Sequence, residues 1–229
     1  MIFAAILAIS LIGCGIQNAL GGKPVPPLEG YSKVVIVPFE IKKPTGKYED
    51  LPTMLSYGAG TKLGIKQKDK VLYYDQSRDM SPITNKMNEL GISKNGIFQN
   101  IEAAVKLGKA FDADIVILGM FAEPRFSIER SGKITEDKSK VSNTGALRYY
   151  TVAQSALLRV NVKIIEVSSS NIIWVGNILG YKTYKTQYLT GETEKVQREE
   201  TMLADVRKDW VDNFAAKLYP EKVATSKTK

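Results

Sequence analysis

The chain has 229 residues, with 32 Lys and Arg against 24 Asp and Glu (net charge +8) and 44% apolar residues. That apolar share is enough for a sizeable core. With no histidine and one cysteine, Cys14, the composition excludes His-based nucleophile pairs, an internal disulfide and a Cys/His zinc cluster.

Residues 1–13, MIFAAILAISLIG, are uncharged and almost wholly apolar. Leu11-Ile12-Gly13-Cys14 fits a lipobox, in which a small residue directly precedes the cysteine. We read 1–13 as a lipoprotein signal peptide, too short for a relaxed membrane span. Cys14 is then the lipidation site, carrying a diacylglyceryl group and an amide-linked, palmitate-type acyl chain. The first charge is Lys23, so the usual basic start of a signal peptide is expected upstream, or the signal is atypical. Residues 14–32 hold several Gly and Pro with no apolar period and read as a tether. Fully extended, they reach at most about 60 Å, which keeps the folded domain close to its membrane.

Val34 to Val37 is continuously apolar, as in a strand buried on both faces. Residues 41–50 read as a loop. Leu51 to Lys66 is weakly helical, with Leu51, Leu55, Ala59 and Leu63 on one face and Gly58, Gly60 and Gly64 lowering the propensity. The Gly58-Ala59-Gly60-Thr61-Lys62 run has neither dinucleotide nor P-loop spacing, so its glycines are expected to serve close packing. Val71 to Tyr74 is a short strand. Ser81-Pro82 is an N-cap followed by proline at the first helical position. Ile97 to Phe111 has helical spacing, and Ile115 to Phe121 reads as a central strand.

Ala122 to Glu129 alternates, and Ser131 to Thr144 reads as a polar loop. Leu147 to Ser155 leads into a hairpin over Ala156 to Gly176. There Leu158, Val160, Val162 and Ile164 alternate with Arg159, Asn161, Lys163 and Ile165, the period of a strand. Ser168 to Asn171 supplies the turn, and Ile172 to Val175, including Trp174, reads as core. The second arm runs on through Gly180 to Tyr188, and Thr193 to Glu200 is highly charged. Met202, Val206, Trp210, Phe214 and Leu218 repeat every four residues in a closing helix over 199–218. Residues 221–229 form a basic tail with no core pattern.

Lys33-Val-Val-Ile-Val-Pro-Phe39, Leu107-Gly-Lys-Ala-Phe-Asp-Ala-Asp-Ile-Val-Ile-Leu-Gly119 and the hairpin ending Ile-Ile-Trp-Val-Gly176 occur in one order. In that order they resemble the signature of the curli-assembly (CsgG-type) lipoproteins. This superfamily includes the amino-terminal domain of the Tol β-propeller protein and the lipoprotein activators of penicillin-binding proteins. The likeness covers roughly residues 33–180 and is one of structural motifs. The family's Asp-x-x-Thr-Gly turn reads Glu166-Val-Ser-Ser-Ser-Asn171 here. The resemblance implies an α/β domain over 33–220, a mixed sheet flanked by helices like an anticodon-binding-domain sandwich, with a C-terminal antiparallel hairpin on extended arms.

No catalytic constellation, metal site or cofactor motif stands out. The reading is therefore a non-enzymatic envelope lipoprotein: an accessory or regulator in secretion, surface-polymer export or cell-wall assembly. It is held to the membrane by its lipid and works with an envelope protein partner, or by self-association into a ring, without nucleic acid. Gly15 after Cys14 points, by analogy with sorting rules, to the outer membrane and a periplasmic face. A curli-type secretion pore is an alternative, but each lipid-crossing strand needs about 9–11 residues with an apolar outer face, which the charges of 193–200 oppose. A carboxylate-based hydrolase is a second alternative. The candidate partner surface is the tyrosine- and lysine-rich arm: Arg148, Tyr149, Tyr150, Tyr181, Lys182, Tyr184, Lys185 and Tyr188.

Overall fold

The structure, a computed structural model, describes residues 27–75, 81–131, 135–142 and 145–219. The expected signal peptide, Cys14, most of the tether and the basic tail lie outside the described residues. In chain order the elements are β1 (Lys33–Ile36), β2 (Glu40–Ile41), α1 (Leu51–Lys66), β3 (Val71–Tyr73), α2 (Pro82–Glu89), α3 (Ile101–Ala110), β4 (Ile115–Phe121), β5 (Arg125–Arg130), β6 (Thr135–Ser142), β7 (Gly145–Glu166), β8 (Ile172–Leu189) and α4 (Glu199–Leu218). They form the expected α/β architecture, one mixed sheet with helices against both faces.

β7 is the spine of the sheet. On one edge it pairs antiparallel with β4, then β5, then β6; on the other it pairs with β8 from Ile165↔Ile172 to Tyr149↔Leu189. β1 runs parallel to β4 and to β3. Parallel neighbours start at the same end, and Asp114 exploits this. Its Oδ2 accepts the backbone N–H groups of Ser32 (2.7 Å) and Lys33 (2.8 Å), fixing the start of β1 beside β4.

Alternation assigns each side chain to one of two cores. Val34 and Ile36, Ile115 and Ile117, and Leu158 through Ile164 in steps of two pack under α1 and α4. Val35 and Val37, Val116 and Leu118, and Ile165 pack under α2 and α3. This is why β1 and β4 read as unbroken apolar runs. The α1 glycines serve close approach: a Cβ on Gly58 would fall 2.8 Å from Val211 Cγ2, and one on Gly60 would enter the Tyr74 ring.

Three expectations need correction and one is met. The polar stretch read as a loop over 131–144 contains β6, which pairs with the start of β7 through an irregular register between Asp137 and Val141; its polar sequence carries no apolar alternation to announce a strand. The helix expected from Ile97 (α3) starts at Ile101, with Asn100 as its cap, its side chain accepting from Ala103 N at 3.0 Å. As expected, Ser81 occupies the N-cap of α2 with Pro82 directly after it, although the capping bond does not come from the Ser81 side chain. Buried Asp75 supplies it instead, accepting from Ile83 N at 2.9 Å and from the Thr84 hydroxyl. Trp174 is only half-buried, its ring lying over Gly176, because among the described residues β8 has a paired strand on one side only.

The buried tryptophan is Trp210, fully enclosed, edge-on to Phe39 at 5.7 Å and tilted against Phe214 at 5.1 Å. α4 reaches the sheet at Gly180. A Cβ there would fall 2.7 Å from Trp210 Cβ and closer still to the Val206 carbonyl oxygen, which is backbone and cannot yield. In urea unfolding, Trp210→Ala is expected to cost about 3–5 kcal/mol. Trp174→Ala should cost less than half of that, and Gly180→Ala should lower the midpoint by displacing α4. Equal losses for the two tryptophans would contradict this packing.

Candidate partner surface on the extended arm

Beyond the core, β7 from Gly145 to Leu157, β5 with β6, and β8 from Tyr181 to Leu189 form a three-stranded antiparallel arm. At about 3.3 Å per residue it extends roughly 40 Å. The strand opposite β7 is interrupted at 122–124, between β4 and β5, where Pro124 has no N–H to donate.

The arm's two faces differ. Val152, Gln154 and Ala156 of β7 face α4 and the 190–198 segment and are buried. That segment is fastened by backbone-directed bonds. Gln154 Nε2 donates to Gln197 O (3.3 Å) while its Oε1 accepts from Gln197 N (2.8 Å). The Tyr188 hydroxyl donates to Lys195 O (2.6 Å) and accepts from Lys195 N (2.9 Å). Arg130 grips Glu194 with two nitrogens, Nε at 2.8 Å and Nη2 at 2.7 Å, and this hydrogen-bonded guanidinium holds the Glu194 carboxyl below its usual range. Among the described residues, none covers the opposite face. Its rows read Glu129–Ala153–Lys185, Ser127–Ser155–Thr183 and Arg125–Leu157–Tyr181 across β5, β7 and β8. The Ser127 and Ser155 hydroxyls lie 2.8 Å apart.

The pleat therefore divides the expected site residues. Tyr150 pairs with Tyr188 on the α4 side, their rings 6.0 Å apart, and Tyr188 is 95% buried. Tyr184, on the same side, donates its hydroxyl to Asp205 of α4. Lys182 shares that side but is exposed. Tyr181 and Lys185 occupy the bare face, Tyr181 at 55% exposure with Leu179 and Val175 at 42% and 47% on the same face. Tyr149 pairs with Leu189, and Arg148 with Glu136 of β6. Tyr184 and Tyr188 are thus fixing residues and do not belong to an open surface; period-two alternation is the signal that separates them.

In the sequence Lys163 is only an alternating polar position. It is 91% buried; its Nζ donates to Phe98 O at 2.7 Å and lies 4.4 Å from the Phe98 ring centre. Burial pushes its pKa down, and Glu40 opposes that. Glu40 in turn accepts from the N–H groups of Gly96 and Phe98. The two residues clamp the 91–100 connection, a long-range arrangement without a local motif. Among the described residues no group of three or more acidic or Cys side chains is placed to hold a metal ion, and no helix is long and apolar enough to cross a membrane.

Burial, reinforced by the bond to Asp205, pushes Tyr184 up to about 12. Burial and the bond to Glu166 do the same for Tyr31. A folded pKa above the ordinary value near 10 means the native state binds the proton more tightly. The stabilisation is intact below about pH 10 and is lost as pH rises from about 10 to 12. Phenolate absorbance should show a late-titrating class that shrinks in Tyr184→Phe, and that variant should lose less stability over the same interval. A titration unchanged by the substitution would contradict the assignment.

No family model matches the chain, and no curated protein matches it. Among solved structures it is similar to the PelC dodecamer protein from Paraburkholderia phytofirmans, with 13% identity over 83% of this chain and 89% of that one, at a TM-score of 0.41. It is also similar to lipoprotein GNA1162 from Neisseria meningitidis, with 10% identity over 76% and 91% and a TM-score of 0.37. The LpoB C-terminal domain from Salmonella enterica gives 13% identity over 71% and 90%, at a TM-score of 0.34.

Proposed function

We propose that the protein is a non-enzymatic, lipid-anchored envelope accessory of the curli-lipoprotein type that works by docking an acidic protein partner along β8. The observation that carries this is the asymmetry of the arm. One face is stitched to α4 and 190–198, while the other leaves Val175, Leu179 and Tyr181 exposed on an outer strand. Isolated exposed apolar residues are ordinary, but a row of three along one strand is a docking feature, as the area offered by Tyr and aliphatic side chains suits a partner. Among the described residues no strand pairs with the outer edge of β8. Side chains from α4 reach β8 backbone at two points, Asp209 to Tyr181 N and Asn213 to Leu179 O.

Charge selects the partner. β8 carries Lys182 and Lys185 and no acidic residue, and the whole chain is at +8. Two copies meeting along β8 would bring like charges together, whereas an acidic strand or loop would be drawn in. The bare face also carries Arg125, Glu129 and Lys185, which disfavours a lipid-facing band and hence the pore reading. Cys14, by its lipobox, supplies the anchor, in the outer membrane and facing the periplasm.

Two measurements test this. Cys14→Ser should move the protein from the membrane to the soluble fraction or leave its signal uncleaved; a mature variant that stays firmly membrane-bound overturns the anchor. Leu179→Ser combined with Tyr181→Ser and Lys185→Glu should keep the circular dichroism spectrum and abolish cross-linking to an acidic envelope protein captured by the unsubstituted chain. Cross-links only between copies, or only to lipid, overturn the acidic-partner reading. So does capture that survives the substitutions.

A further inference from the structure

Where the strand is interrupted at 122–124, the bare face opens into a cavity of about 240 Å³. Lys42, Arg125 and Arg159 converge on it. Each comes from a different part of the chain: the loop after β2, the first residue of β5, and β7 just past the end of its pairing with β5. None of the three makes an ion pair or a side-chain hydrogen bond among the described residues. Lys42 is held in place through its backbone, its N–H donating to Phe121 O at 2.7 Å. The acid lining the cavity, Glu123, is committed elsewhere, its Oε1 accepting from Thr45 N (3.0 Å) and from the Thr45 hydroxyl. Three cations against one carboxylate leave the concavity net positive, a field that draws in an anion.

A second observation points the same way. Asn161 lines the cavity, and its Oδ1 is buried without a hydrogen-bond partner. Buried polar atoms are nearly always paired, so this orphan beside the cavity is an acceptor that a small turn of the Asn161 side chain presents to a ligand donor. Leu157 and Met120, both half-buried, add apolar wall. The volume falls below the roughly 300–1,000 Å³ of pockets for drug-sized ligands, which limits the occupant to about the size of one sugar ring.

We propose that this cavity binds a small organic oxyanion of hexose size, a carboxylate or phosphate ester that also carries hydroxyl groups. The oxyanion sits between Arg125, Arg159 and Lys42, a hydroxyl donates to Asn161 Oδ1, and the C–H face of the ring lies on Leu157 and Met120. Arginine favours such an anion because its planar fork can donate two parallel N–H bonds. This site does not depend on the docking reading, which uses Leu179, Tyr181 and Lys185.

The test is calorimetric titration of the full chain in mild detergent at low salt with glucuronate, glucose 6-phosphate, glucose and inorganic phosphate. Saturable 1:1 binding is expected for glucuronate or glucose 6-phosphate, distinguishing the carboxylate from the phosphate source, with none for glucose. Arg125→Gln with Arg159→Gln should weaken it at least tenfold, and Asn161→Leu should weaken the sugar anion while leaving inorganic phosphate unchanged. Amide NMR shifts of the unsubstituted protein, mapped to residues 120–125 and 157–161, check the location without any variant. No saturable binding of either sugar anion overturns the proposal. So does affinity unchanged in the arginine variant, or shifts confined to other residues. Inorganic phosphate binding as tightly as both sugar anions overturns the assigned role of Asn161.

Discussion

The structure depends on the continuous pairing of β7. Its 22 residues hold β8 on one edge and three successive strands on the other. A strand paired on both sides has its backbone groups satisfied by the sheet, so its side chains are left to decide what each face does. Near Glu166 both faces are covered by helices. Toward Val152 one face is covered by α4 and the 190–198 segment and the other, among the described residues, is left open. The same strand is thus a core strand at one end and the middle of an arm at the other, its pairing with β8 running from one to the other.

Covering only one face of the arm is a matter of polar chemistry as much as apolar burial. Gln154 and Tyr188 each exchange two hydrogen bonds with the backbone of 190–198. A segment with little apolar content can still be held if its backbone groups find buried partners, and each such partner would be costly to leave unpaired, on the order of 1–3 kcal/mol. Further along, apolar packing takes over: Met202, Val206, Trp210 and Phe214 seat α4 on the sheet, and Gly180 removes the side chain that would hold its backbone off. The hand-over from polar stitching to apolar packing coincides with the passage from arm to core.

This division decides how much was legible in the sequence. β1, β4, the inner half of β7 and α4 were legible because two buried faces or a fourfold stripe leave a pattern in apolar residues alone. β6 was not: Thr135–Ser142 is a strand because β7 is beside it, and nothing in its own composition says so. The resemblance in 33–39, 107–119 and 156–176 falls on β1, α3 with β4, and the β7–β8 turn, all in the core. It therefore gave the α/β sheet and the extended hairpin, and left open which face of the arm is covered. In the candidate site, Tyr184 and Tyr188 looked like surface because aromatic-lysine runs do. Alternation alone could divide them from Tyr181, and only the position of α4 says which half is covered. Lys163, Gln154 and the Lys42–Arg125–Arg159 cluster join residues distant in the chain, which no local motif can announce.

The arrangement also separates stability from recognition. Residues on the α4 side of the arm, such as Gln154, Tyr184 and Tyr188, are constrained by partners within the chain. Residues on the other side, such as Arg125, Arg159, Leu179 and Tyr181, contribute little to the core and are free to answer to something outside it. The interruption at 122–124 adds depth to an otherwise flat surface, since a sheet without a gap offers ridges and shallow grooves but no cavity. Pro124 is therefore more than the end of a strand. By removing one donor from the ladder opposite β7, it lets the bare face fold inward beside Arg159 and Asn161, and converts part of a paired sheet into a place where charged side chains can meet around a small volume.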